Sequence, residues 1–200
     1  MNVLRLEQAW QRTATLLAIA LVTLVGLTAA SGLLLAIYYE PTASGSYASL
    51  QRLHNEIPFG WLIHSLHNLA GNAVIGVALL QMVVLFLSRR FERPWLTGWI
   101  STILLVLNAI ALSWTAMILA WNQIGFWRFQ IELDTIAAIP LVGNTLYTLL
   151  LGGEAVSTLA VTRLYALHSY FLAGSAVLLA IVQLGSLLLP RAPGNETASV

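Results

Sequence analysis

Four long apolar runs decide what this chain can become. They lie at about residues 14–38, 62–88, 98–120 and 164–189, and each reaches the roughly 20 residues of helix that cross the hydrocarbon core of a bilayer. In lipid a backbone must satisfy its own polar groups, so such runs fold as helices. The expectation is therefore an all-α integral membrane four-helix bundle, one domain over residues 1–190 with a disordered tail at 191–200. Composition agrees: 58% of residues are hydrophobic and only 8% charged, with a mean hydropathy of +0.82. So little charge cannot cover a soluble domain of this size, and the main solvent of the chain is the lipid bilayer.

The first run is too long for a signal peptide and lacks a small-residue cleavage site, so it reads as a span. Between the third and fourth runs lies IAAIPLVGNTLYTLLLGG. Broken by Pro140 and Gly143, it is expected to form short helices in the membrane interface. The chain contains no lysine, so its orientation rests on arginine. Arg5, Arg12, Arg89, Arg90, Arg93 and Arg191 fall on one side, and Arg52, Arg128 and Arg163 on the other. That asymmetry places both termini and the short SRRFERPW loop in the cytoplasm. A net charge of +1 argues against nucleic acid as a partner. With no cysteine, disulfides, iron–sulfur clusters and covalently attached haem are excluded.

Two of the four histidines fall inside spans. His67 and His168 each sit a few residues into a run that starts from the outer side, so the two imidazoles lie at a similar depth. Ionisable side chains in a membrane usually face a bundle interior or a cofactor. Two neutral imidazoles from facing helices are one set of axial ligands for haem iron; a pair satisfied by interhelical hydrogen bonds is the other reading. Glutamine repeats the pattern deeper in the membrane. Gln81 is 14 residues beyond His67 and Gln183 is 15 beyond His168, a step of about 21–23 Å that returns each side chain to within about 40–60° of its starting direction. The second and fourth helices thus carry two polar storeys on one seam.

Several stretches together resemble the cytochrome b family of bc-type complexes, most closely its short b6 type. GLLLAIYYEPTASGSYASLQ is similar to the end of that family's first helix, and GWLIHSLHNLAG to its GWxxRxxHxxxA motif. LAWNQIGFW resembles LPW(D/G)Qxx(Y/F)W, and the run ending TLAVTRLYALHSY resembles TLTRFYxLH. The likeness covers nearly all of residues 20–190. It implies two haems b stacked between the second and fourth helices, each held by two histidines. Carried over by position, the outer haem is held by His67 and His168. The inner ligands fall on Gln81 and Gln183, so one haem b is expected and the second is expected to be absent. Other inner positions depart as well: glycines of the family align with Ala18 and Thr102, and an arginine near a propionate aligns with Val84. On the outer side Gly32 is kept, while Ala116 replaces a glycine, His64 an arginine and Ala120 a proline.

The resemblance implies a b-type electron-transfer subunit of an oxidoreductase complex, linked to quinol or quinone. It also implies a partner membrane subunit, because the family's later quinol-binding helices are not in these 200 residues. Without an inner haem a full quinone cycle lacks its relay. Arg163 is expected near a haem propionate or a lipid headgroup, and His64 near a propionate or at the surface. Trp121, Gln123, Phe126 and Trp127 are expected to shape the outer surface or to anchor it in the interface. His54 is read as a solvated loop residue. Gln81 and Gln183 are expected to hydrogen-bond across the vacated space, or to serve a harder metal such as a chlorin magnesium. The competing class is a non-redox or pigment-binding scaffold or assembly subunit that kept the fold.

Overall fold

The computed structural model describes residues 2–88, 95–153 and 155–188, with side chains from residue 5 onward. The arginines at 89, 90, 93 and 191 and the expected tail lie outside the described residues. In chain order the helices are α1 (Asn2–Tyr38), α2 (Ser46–Asn55), α3 (Gly60–Leu87), α4 (Leu96–Leu119), α5 (Gln123–Ala137), α6 (Gly143–Leu151) and α7 (Thr158–Ala166); a π-helical stretch (Leu167–Leu172) then leads into α8 (Ala173–Leu188). There is no strand among the described residues. Four helical segments are long and apolar enough to cross a membrane: Arg5–Tyr38, Gly60–Leu87, Leu96–Leu119 and Thr158–Leu188. Two begin before their apolar runs. Leu6, Glu7, Gln8 and Ala9 extend α1 toward the N-terminus because they are good helix formers. The fourth span starts at Thr158, six residues ahead of the run's expected start at 164, through the α7 turn.

Around the bundle α1 packs on α3, α3 on α4, α4 on α8 and α8 on α1, so α3 and α8 stand diagonally opposite. In lipid no hydrophobic force drives helices together, and close packing of small residues does that work. Alanines accordingly fill the seams: Ala14 and Ala18 on α1, Ala78 on α3, Ala109 on α4, and Ala176 and Ala180 on α8 are all buried. The interior divides into three apolar layers. Leu21, Val25, Val74, Leu105 and Ala176 form the middle one. Val84, Leu85 and Leu187 join Ala14 and Ala18 at one end. At the other end, Phe129, Leu133, Leu151 and Leu164 tie α4–α7 together. Polar side chains occupy the two boundaries between these layers.

Local turns fix what sits at the outer ends of the spans. Phe59 adopts a left-handed φ of 61° just before α3. Gly60 then presses so close to α2 that a Cβ there would lie 2.0 Å from the Leu53 carbonyl oxygen. Only glycine permits that approach, and it holds α2 against the start of α3. Tyr39, just past α1, donates from its hydroxyl to the Leu119 carbonyl (2.8 Å) and stacks on Tyr165. Burial pushes this phenol up to about 12.

Candidate cofactor site

His67 on α3 and His168 in the π-helical stretch meet across the diagonal of the bundle, with ring centres 6.3 Å apart and planes inclined at 54°. Their hydrogen bonds determine which nitrogen carries the proton. His67 Nδ1 lies 2.9 Å from the Thr28 carbonyl oxygen. A carbonyl can only accept, so Nδ1 is protonated and donates. Ser31 Oγ also sits 3.2 Å from that nitrogen, but its own hydrogen goes to the backbone of Leu27 or Thr28. His168 Nδ1 lies 2.8 Å from Thr115 Oγ1. The Thr115 hydroxyl in turn donates to the Ala111 carbonyl at 2.9 Å, leaving its oxygen to accept from the imidazole. Both rings are thereby held as the tautomer whose Nε2 is an unprotonated lone pair.

Such a pair fits a metal between the rings. A metal–imidazole bond of about 2.0–2.1 Å on each side, with about 1.1–1.2 Å from ring nitrogen to ring centre, separates the centres by about 6.2–6.6 Å. The observed 6.3 Å lies in that range. No group of three or more His, Cys, Asp or Glu suited to a metal ion exists among the described residues; the arrangement suits a metal whose other ligands come with it. Gly32 belongs to this layer. A Cβ there would meet His67 Cε1 at 3.0 Å, so glycine lets α1 run past the ring. Ala116 follows Thr115 directly and is half-buried.

The π-helical stretch accounts for the unequal spacings of 14 and 15. The Ala173 amide donates back five residues to the His168 carbonyl, which stores one extra residue between His168 and Gln183. With that residue discounted, both seams advance by the same 14 α-helical steps. Asn108 on α4 holds the stretch in place: its Nδ2 donates to the Leu172 carbonyl at 2.9 Å, and Ser175 Oγ donates to its Oδ1 at 3.2 Å.

The glutamine layer differs in kind. Gln81 and Gln183 are both fully buried, at 0% exposure. Gln183 Nε2 donates to Thr102 Oγ1 (3.1 Å), and no hydrogen bond joins the two amides. Ala18, Thr102 and Val84 are buried too. An amide is a poor ligand for haem iron, so this layer does not fit a haem held as at the histidine layer.

Other singled-out residues have partners of their own. Arg163 donates from Nη1 to the Leu149 carbonyl (2.7 Å), near the carbonyl end of α6, where a cation is favoured. His64 Nδ1 lies 3.2 Å from His54 Nε2, and His64 Nε2 lies 3.3 Å from Asn68 Nδ2. His54 is therefore not a solvated loop residue: it lies in the last turn of α2 and pairs with His64 on α3. The Leu53 packing on Gly60 makes that contact, and only the amphipathic pattern of YASLQRLHN hinted at a helix there. Trp121, at a left-handed φ of 48°, packs edge-to-face on Phe126, which packs on Trp127. Trp127 Nε1 donates to Gln123 Oε1 at 3.1 Å.

A family model described as Cytochrome b/b6/petB matches residues 9–191. The chain belongs to the cytochrome b/b6 family. Cytochrome b6 of Synechococcus elongatus is 33% identical over 165 residues, covering 82% of this chain and 75% of that protein. Cytochrome b6 of a Synechocystis species is 34% identical over 143 residues, covering 72% and 64%. A chain of a solved "Hyperthermophilic respiratory Complex III" superposes with a TM-score of 0.75 at 22% identity, covering 88% of this chain. This chain spans 47% of that one, so the likeness is one of fold. Membership in the cytochrome b/b6 family makes the chain an integral membrane subunit of cytochrome b type, and b-type haem is the cofactor the family implies.

Proposed function

We propose that this cytochrome b/b6-family chain binds one haem b at the histidine layer, with His67 and His168 as axial ligands, and passes electrons singly within a quinol-linked membrane complex. The observation that carries the reading is the shared tautomer. Each Nδ1–H donates a hydrogen bond to a fixed oxygen, so each Nε2 offers a lone pair, and two such neutral imidazoles would hold a haem iron. When bound, haem supplies a one-electron ferric/ferrous couple. The chain's own residues hold and shield it: Thr28 and Thr115 fix the two rings, Gly32 keeps α1 clear of His67, and the middle apolar layer excludes water from below.

At the glutamine layer we propose that no haem is held. Electron transfer then stays at the histidine end, since the other layer is about 20 Å away with no relay on this chain. Both termini lie on the cytoplasmic side in this reading, and a partner membrane subunit supplies the quinol-binding helices. A pyridine haemochrome assay on purified protein tests the proposal, with one haem b per chain expected. Two would refute the haem-free glutamine layer, and none would favour a scaffold or pigment-binding role. Replacing His168 by Ala should abolish haem retention; haem that survives the change overturns the ligand assignment.

A further inference from the structure

Three buried polar atoms of the glutamine layer have no protein partner: Gln81 Oε1, Gln81 Nε2 and Gln183 Oε1. Such groups are costly to bury unpaired. The remaining amide nitrogen is engaged, because Gln183 Nε2 donates to Thr102, whose hydroxyl donates onward to the Gly98 carbonyl at 2.6 Å. What is left is fixed in number and sign: two carbonyl acceptors and one NH2 donor. Exchanging O and N of Gln81 leaves the same set, so the count does not depend on how that amide is oriented.

We propose that a single water molecule bridges Gln81 and Gln183. It donates one hydrogen to each glutamine oxygen and accepts from Gln81 Nε2. Three hydrogen bonds are typical of a buried water, and water brings the matching two donors and a lone pair. Other ligand classes fail on the same count. A cation would find only neutral groups, since no carboxylate is among the buried polar side chains of the described residues, and a charge at that depth needs compensation. A quinone carbonyl only accepts, which would leave both glutamine oxygens unpaired. A macrocycle would meet Ala18, Thr102 and Val84. The bridge joins α3 to α8 across the diagonal, where the two helices do not otherwise pack face to face.

This inference rests on the glutamine layer's holding no haem. The test is a density map of the chain in its native complex, at a resolution that shows ordered waters, with a haemochrome assay on the same sample. One isolated peak within about 2.6–3.2 Å of all three atoms is expected. No peak, extended density, or amides bonded directly to each other would overturn the bridge. Two haems per chain would sink the one-haem reading itself, whereas one haem with no peak sinks only the water. Thermal melting of Q81L, Q183L and Q81L/Q183L gives a second readout. Each single variant strands the opposite amide, so the double variant should lose less melting temperature than the two singles summed; additive losses would overturn the coupling.

Discussion

Replacing Thr115 by Val removes the hydroxyl that accepts from His168 while keeping nearly the same shape. In the native protein that oxygen accepts from His168 Nδ1 at 2.8 Å. The variant removes that hydrogen bond from a half-buried ring whose remaining partner is the Leu112 backbone, a loss of about 1–1.5 kcal/mol. At 1.4 kcal/mol per tenfold, haem affinity should fall about 5–12-fold, at the lower end of the roughly 10–100-fold that outer hydrogen bonds to metal-ligating histidines are typically worth. Ser31 supplies the contrast. Its hydroxyl is 3.2 Å from His67 Nδ1, but the Thr28 carbonyl accepts from that nitrogen at 2.9 Å regardless. Replacing Ser31 by Ala should therefore change haem affinity by no more than a few-fold. The measurement is haem transfer from purified variants to an apo-haemoprotein acceptor, followed by absorbance. Equal losses for the two variants, or none for Thr115→Val, would refute the claim that these hydrogen bonds set the ligand tautomer.

Gly32→Ala places a methyl group 3.0 Å from His67 Cε1, so the ring must shift; haem retention should drop while the helical circular dichroism stays native. Asn108→Leu removes one of two side-chain donors to the Leu172 carbonyl and should cost about 1 kcal/mol of stability, read as a lower melting temperature together with weaker haem binding. Tyr39 predicts an alkaline limit. Its folded-state value of about 12 lies above the usual 10.0, so the stabilisation is complete below pH 10 and disappears as pH rises to about 12. Melting temperature should fall over that window in the wild type and more gently in Tyr39→Phe.

Much of the architecture could be read directly, because a bilayer leaves an apolar run of this length a single fold. The histidine pair was legible for a related reason: two ionisable groups at one depth are too costly to be incidental. The fixed tautomer was not, since it depends on Thr28 and Thr115 from two other helices. Nor could the unequal 14 and 15 be reconciled by counting, because only the hydrogen bond from the Ala173 amide to the His168 carbonyl reveals where the extra residue is kept. The partners that Arg163 and His54 meet were not legible for the same reason: each is set by close packing of a short helix, which leaves no periodic trace in the chain.

That stored residue also predicts where the chain can change length. Deleting one residue from a straight spanning helix turns everything beyond it by about 100°; in α3 this would swing Gln81 away from the seam shared with His67. Within Leu167–Leu172 the same deletion would relax π geometry to α and leave Gln183 facing as it does now. Tolerance of insertion and deletion usually belongs to loops. Here it also belongs to one turn within a spanning helix, the turn that carries a residue proposed to hold the iron.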